Sequence, residues 1–439
     1  MQINRKPPRI SPPGIQPKQD RVHQVRTYKL ITPLFGGGAE PQKPDEVTVI
    51  RASEIRGLLR FWWRATRGGQ FGSLDELRCA EEAIWGSAAG EGKAGPSPVA
   101  LAVEVTKRGR RLSGVKIRTR RGEDKVAIGH PRSPYSYVAF PLREERQGRR
   151  VTRPAGSVWK DIEFKLHITL DQQRVQNRGE LDLREEVEAA LWAWETFGGV
   201  GARTRRGFGA LQLIAVDDTP IGEQPAREIE RTVRRQLGEY VKGNRWPPGI
   251  SHLHPDMPLV VTSRYSDADK AWKALFGALK RFRQARYPDA QGRPYGRSKW
   301  PEPDAIRRLT GTHSPGHEPQ HPVDAKYPRG RFGLPIIFQF KQNDQETGDP
   351  PPTVLEGAQS ERFASRLILR PYACQDGAVG IACALQGPLD PPGGYVLKEQ
   401  SSSQILAQAN VDLTSKEAQQ IDPLGGELDV LKAFLRTLG

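Results

Sequence analysis

The sequence predicts an α+β protein made of two tandem ferredoxin-like (βαββαβ, RRM-like) domains with hairpin and loop insertions. Three observations carry the prediction. Segments of period two and period 3.6 in the first half run strand, helix, strands, strand, helix, strand, the order of a βαββαβ sandwich. Leu275-Phe-Gly-Ala-Leu-Lys-Arg-Phe-Arg in the second half echoes Leu58-Leu-Arg-Phe-Trp-Trp-Arg in the first, as in a duplicated domain. A chain of 439 residues is long enough for two or three domains, each with its own core. The expected division begins with a Pro-rich, basic, disordered arm over 1–20, which lacks the apolar stretch of a signal peptide. An N-terminal domain follows over 21–218, then a linker helix and Pro-rich connector over 219–257. The C-terminal domain covers 258–439, with an insertion at 287–330.

Residues 22–34 read as the first strand, ended by Thr32-Pro33 and then by Gly36-Gly37-Gly38. A helix over 53–66 turns Ile55, Leu58, Leu59, Trp62 and Ala65 to one face, with Ser53 placed to cap its start. Strands follow at 99–106, 114–119, 135–142 and 162–170. The last alternates cleanly, with Phe164, Leu166, Ile168 and Leu170 on one face and Glu163, Lys165, His167 and Thr169 on the other. Arg, Lys and Gly crowd residues 106–132, as exposed basic hairpins require. A second helix over 183–196 buries Leu183, Val187, Ala190, Leu191 and Trp194 and stops at Gly198-Gly199. Residues 210–216 form the closing strand, and a charged helix over 227–241 belongs to the linker. In the second half, 258–263, 332–340, 365–372 and 379–385 read as strands and 267–286 and 427–438 as helices. Pro, Gly and His make 287–330 too irregular for packed structure.

A net charge of +16 bears on partners and not on fold. It fits a phosphate backbone better than an acidic membrane surface. No apolar or amphipathic anchor accompanies the charge, and no stretch approaches the roughly 18 apolar residues of a membrane span. Cys79, Cys374 and Cys383 are too few and too scattered for a disulfide framework or a Cys zinc site. A soluble, cytoplasmic chain with no cofactor is expected.

Arg56, Arg60, Arg64 and Arg67 fall within one narrow stripe of the first helix, at about 100° per residue. Stacked like charges repel at i and i+4, and only Glu54 stands near them in sequence. Such a stripe calls for an extended anion, with nucleic acid the first candidate; a solvated helix face is the competing reading. Phe61 and Trp63 at its edges either stack on bases or pack into the core. The second signal is Phe197-Gly-Gly-Val-Gly-Ala-Arg-Thr-Arg-Arg-Gly-Phe-Gly, where five glycines admit a close backbone approach and Arg203, Arg205 and Arg206 supply charge. It is neither a P-loop nor a dinucleotide fingerprint, since it leaves a helix and enters a strand. Gly36-Gly37-Gly38 leads toward the striped helix, so loop and helix are expected to line one groove around a single ribose-phosphate strand. Gly296-Arg297-Ser298-Lys299-Trp300-Pro301-Glu302 offers cations beside an aromatic, for RNA or for a protein neighbour.

Chemistry of catalysis is sparse. His313, His317 and His321 recur every fourth residue, but Pro315, Gly316, Pro319 and Pro322 forbid the helix that would make them metal ligands. His23 is the one candidate general base for RNA cleavage, and an isolated histidine is usually a surface residue.

Together, Ile31-Thr-Pro-Leu-Phe-Gly-Gly-Gly, Arg51-Ala-Ser-Glu-Ile-Arg-Gly-Leu-Leu-Arg-Phe-Trp-Trp-Arg and Gly199-Val-Gly-Ala-Arg-Thr-Arg-Arg-Gly-Phe-Gly resemble the hallmarks of the RAMP superfamily of CRISPR-associated proteins. Within it the similarity is to the first-numbered RAMP subunits of type III-B Cmr effector complexes, whose second-half signature the 296–303 stretch resembles. The resemblance spans about residues 22–385. It implies tandem ferredoxin-like domains with an RNA-binding cleft between glycine-rich loop and first helix. It also implies a place near the 3′ end of the guide RNA, holding guide and target RNA beside other RAMP subunits in antiviral defence, with no slicing role. The residues expected at the RNA are Gly36, Gly37 and Arg51 beside the helix, Arg56, Arg60, Arg64 and Arg67 along it, and Gly199, Gly201, Arg203, Arg205 and Arg206 in the loop. The alternative is a metal-independent, guide-processing endoribonuclease on the same fold, with His23 in the cleft.

Overall fold

The computed structural model describes residues 21–38, 40, 43, 45–87, 95–120, 122–172, 181–340 and 348–439; the arm expected over 1–20 lies outside them. The first half opens with β1 (Arg21–Leu30), α1 (Ala52–Arg67) and α2 (Leu74–Trp85), then β2 (Val99–Lys107). Short strands β3 (Arg110–Leu112), β4 (Gly114–Thr119), β5 (Gly122–Ala127), β6 (Glu145–Gln147), β7 (Arg150–Arg153) and β8 (Val158–Lys160) pair as two-stranded antiparallel ribbons. Then come β9 (Glu163–Asp171), α3 (Leu183–Phe197), β10 (Leu211–Val216) and β11 (Thr219–Pro220).

The main sheet has the order β11-β10-β1-β9-β2, antiparallel throughout. Alternation decides its faces. Phe164, Leu166 and Ile168 on β9 and Tyr28 and Leu30 on β1 share a core with Ile55, Leu59 and Trp62 of α1 and Val187, Leu191 and Trp194 of α3. Burial of side chains of this size contributes ~1.5–3 kcal/mol each before chain entropy is counted. The other face of the sheet carries His23, Lys165, His167 and Thr169.

The second half continues with α4 (Ala226–Tyr240), β12 (Leu259–Val261), α5 (Ala268–Arg283), α6 (Glu302–Thr310), β13 (Ile336–Phe338), β14 (Thr353–Gly357), β15 (Leu367–Cys374), β16 (Gly377–Ala384), β17 (Tyr395–Glu399), β18 (Ile405–Ala409), α7 (Ser415–Gln420) and α8 (Val430–Arg436). It forms two antiparallel sheets, β12-β16-β15 and β13-β14-β17-β18. The smaller sheet is covered on both faces. Leu367, Leu369, Ala382 and Ala384 pack on Leu275, Leu279 and Phe282 of α5, while Ile368, Ile381 and Cys383 join the core of the first half. Double burial is why β15 and β16 are nearly continuous apolar runs and not alternating ones. The two halves therefore share one interior.

Several expectations fail for identifiable reasons. The strand expected at 135–142 is a chain of turns ending in a 3₁₀ turn at Phe140–Leu142; Pro134 and Pro141 bring no ladder donors. The irregular stretch at 287–330 contains α6, started by a proline in its first turn and acids at its positive end. Ser53 does not cap α1, which begins one residue earlier, after Arg51, with no side-chain cap. Gly198 does stop α3, but in an extended conformation; a Cβ there would stand 2.6 Å from Trp62 Nε1.

Candidate nucleic-acid interface

The chain leaves β1 through Thr32 and Pro33 into the glycines at 36–38, and this turn meets the 197–209 loop directly. Gly37 adopts φ +94°, and a Cβ there would lie 3.6 Å from Gly201 Cα and 3.3 Å from Glu54 Oε2. The Gly201 N–H donates to Glu54 Oε1 at 2.5 Å and the Ala202 N–H to the Phe35 carbonyl at 2.6 Å. Thr32 Oγ1 donates to the Gly207 carbonyl and accepts from the Ala210 N–H. Gly36, Gly37, Arg51 and Gly201 thus come together at the start of α1, while Gly199 lies against Gly209 and Trp194. These loop N–H groups are held by the protein itself, contrary to the expectation that they point at a ligand. Gly199 is there for close packing, since a Cβ would stand 2.7 Å from the Gly209 carbonyl. Burial raises the Glu54 pKa above the ordinary carboxylate value, although the Gly201 N–H and Arg51 act the other way.

The arginine stripe is not brought to this place as a bare ridge. Arg60 and Arg64 both pair with buried Glu81 of α2, at 2.6 and 2.5 Å. Arg56 donates to Ser97 Oγ and the Val99 carbonyl, both at 2.9 Å. Arg67 is 1 % exposed and lies between Glu185 and Glu186 of α3, 3.1 and 3.5 Å from their oxygens. Burial removes Arg67 from any RNA surface. The acids missing from the stripe's own sequence arrive from two other helices. Trp63 is likewise core, donating Nε1–H to Glu186 at 2.6 Å.

Charge without a counter-ion sits instead on the 197–209 loop, at the seam between the halves. Arg203 takes a left-handed conformation, φ +60°, and lays its guanidinium 4.7 Å from the centroid of Phe140. Arg205 stands 5.4 Å over Phe61 and donates to the Ser365 carbonyl. Arg206 turns inward to the Leu367 carbonyl at 2.8 Å and the Phe332 carbonyl at 3.3 Å, and its own carbonyl accepts from Trp272 Nε1. Arg283 of α5 reaches Tyr137 Oη at 3.1 Å. Among the described residues no carboxylate pairs with any of the four. Burial pushes the Arg203 pKa down to about 10 and that of Arg206 down to about 9, the latter also opposed by Arg283. A partly buried cation with no anion beside it is costly, and the arrangement attracts one from outside.

Phe140, Tyr137 and Arg283 are the residues sequence reasoning missed. The signal for Tyr137 and Phe140 is an aromatic-rich stretch between Pro134 and Pro141; Arg283, on α5, carries none. The other sequence candidates lie elsewhere. His23 is at the start of β1, with the seam beyond that strand's end, roughly 20 Å or more at ~3.3 Å per residue; it stacks on His167 and meets Thr169 Oγ1 at 3.1 Å. The 296–302 stretch is buried only at its end: Trp300 donates to the Phe282 carbonyl, while the partly exposed Arg297 pairs with Asp304 and Lys299 with Asp422. His317 meets Ser314 and Asp349, while His321 turns to Val323; among the described residues no His, Cys, Asp and Glu group is placed to hold a metal. No described helix is long and apolar enough to cross a membrane.

The sequence profile of the RAMP superfamily matches residues 27–212, the stretch from β1 through β10. The CRISPR system Cmr subunit Cmr1-2 of Pyrococcus furiosus is 30% identical over 190 residues, covering 42% of this chain and 91% of that protein. Cmr1-1 of the same organism is 23% identical over 234 residues, 51% of this chain and 60% of that protein. The crystal structure of apo Cmr1 from Pyrococcus furiosus aligns with a TM-score of 0.44 and 16% identity, over 91% of this chain and 96% of that one. A chain in a cryo-EM structure of the type III-B Cmr-beta bound to cognate target RNA gives 0.46 and 12%, over 95% of this chain and all of that one.

Proposed function

Because the chain belongs to the RAMP superfamily and, within it, to the Cmr1 subunits of type III-B Cmr systems, we propose that it is a non-catalytic RNA-binding subunit of such an effector complex in antiviral defence. Its ligand is the 3′ region of the guide RNA, the guide–target duplex, or both, and its protein partners are the other RAMP subunits. One observation carries the reading: Arg203, Arg205, Arg206 and Arg283 converge at the seam, and no carboxylate among the described residues pairs with them. Arg51 and the glycines at 36, 37, 199 and 201 shape the approach. Arg56, Arg60 and Arg64, half-buried and already engaged, give a secondary contact. Charges of this kind read phosphate and not base edges.

The fold we infer for this role is the tandem ferredoxin-like one, divided at 21–218, 219–257 and 258–439. In favour of it, β10-β1-β9-β2 has the strand order of a βαββαβ sandwich, and β12, α5, β15 and β16 lay down three strands of another. The position of His23, well away from the seam, speaks against a guide-processing ribonuclease that would use it as base.

The test is fluorescence anisotropy of a labelled single-stranded RNA across a salt series. The log–log slope should be about −0.7 per phosphate engaged, hence roughly −2 to −3 for four arginines. A flat salt dependence rejects the reading. Incubation with repeat RNA in EDTA should leave the RNA whole; clean, site-specific cleavage would favour the ribonuclease.

A further inference from the structure

Phe140 is 50 % exposed, yet the turn that carries it is anchored in the interior. Its neighbours Val138, Ala139 and Leu142 are each at most 1 % exposed. The turn is closed by Leu142 N–H donating to the Ala139 carbonyl and Arg143 N–H to the Phe140 carbonyl. A large apolar ring presented to solvent from a fixed backbone needs a reason. Arg203 lies 4.7 Å from the ring centroid and is held in a left-handed conformation that non-glycine residues seldom adopt. Its Nε is buried and has no hydrogen-bond partner. Tyr137 and Arg283 stand beside it, joined by their own hydrogen bond.

Resting on the RNA-binding reading above, we propose that Phe140 and Arg203 form a stacking platform for one unpaired nucleobase, whose adjacent phosphate is taken by the seam arginines. An aromatic face accepts any base, so the position selects strandedness and not sequence. A base already stacked and paired inside a duplex is not free to occupy it. The site therefore separates a single-stranded end of an RNA from its duplex body, a distinction that charge alone cannot make. The fixed turn lowers the ordering cost of stacking.

The experiment uses the full chain and a fluorescein-labelled 12-nucleotide RNA in three forms: single-stranded, annealed to its complement, and single-stranded with abasic sites. Phe140→Ala should weaken binding of the single strand about five- to a hundredfold, the range expected for one lost base–aromatic contact, with the salt slope unchanged. Phe140→Trp should retain binding. Duplex should bind wild type and Phe140→Ala alike, and so should the abasic strand. Arg203→Ala should reduce the salt slope by about 0.7. If Phe140→Ala binds the single strand as wild type does while the salt dependence persists, the platform is wrong and the RNA-binding reading stands. Equal weakening for single strand and duplex also overturns the platform. A flat salt response of the wild-type protein removes both.

Discussion

Glu54 shows what single residues tell and what they conceal. In sequence it is one acid beside four arginines; in the fold it faces away from most of them and accepts the Gly201 N–H. Burial raises its pKa, so in the folded state it binds a proton more readily than in the unfolded chain. Its contribution to stability is therefore full below about 4.5, its ordinary value, and is lost as pH rises through the folded value. Asp304 and Asp349 are shifted the opposite way; hydrogen bonds and Arg297 or Arg307 outweigh their burial, so their contribution falls only under more acid conditions. As the pH falls from neutral toward about 4.5, Glu54 then adds a slope that they do not. Glu54→Gln keeps the acceptor for Gly201 and removes the titration. Urea unfolding should show wild type gaining more than Glu54→Gln as the pH is lowered from neutral toward about 4.5, and an equal gain would reject the assignment. The arginines were legible as cations, but their partners were not. Glu81, Glu185 and Glu186 reach α1 only through the packing of α2 and α3, which no local spacing records.

At the scale of elements, periodicity served well where one face is wet and one is dry. The first helix, β9, α3 and β10 lie within a residue or two of their expected bounds for that reason. It failed where prolines interrupt an apolar run, at 135–142, and where acids and a proline at a helix start were read as irregularity, at α6. The stripe on α1 is the instructive case, because the periodicity holds while the counter-charges to Arg60, Arg64 and Arg67 come from α2 and α3. Arg60 and Arg64 share Glu81, whose carboxylate is 8 % exposed as a side chain. Replacing both with Ala strands that carboxylate. Since the two arginines are about one-third exposed, screening reduces the cost, and we expect a loss of roughly 1–3 kcal/mol. Thermal unfolding should show it as a lower midpoint, with only a modest loss of RNA affinity. Arg203→Ala should do the reverse, because it deletes a partly buried charge that no carboxylate among the described residues pairs: the midpoint holds or rises while binding falls. If instead Arg60→Ala/Arg64→Ala unfolds at the wild-type temperature, Glu81 is not the stripe's counter-ion.

For the whole molecule, the tandem reading captured the α+β class but not how intimately the halves join. Ile368, Ile381 and Cys383 complete the first half's core. Arg370, fully buried, donates Nε to the Gly198 carbonyl at 2.9 Å and Nη2 to the Leu211 carbonyl at 2.6 Å. Arg370→Ala leaves two buried carbonyls without donors and a void between the halves. We expect it to cost about 2–4 kcal/mol and calorimetry to show one lowered transition; unfolding unchanged from wild type would mean the join does not depend on it. Arg205 and Arg206 make the same kind of bond across the same join. A peptide oxygen fixes a guanidinium in place without cancelling its charge. For Arg205 and Arg206 mortar and lure are consequently the same side chain, so deleting either one loosens the masonry along with the attraction. Only an exchange that keeps the charge and gives up the fork, arginine to lysine, can pull the two roles apart.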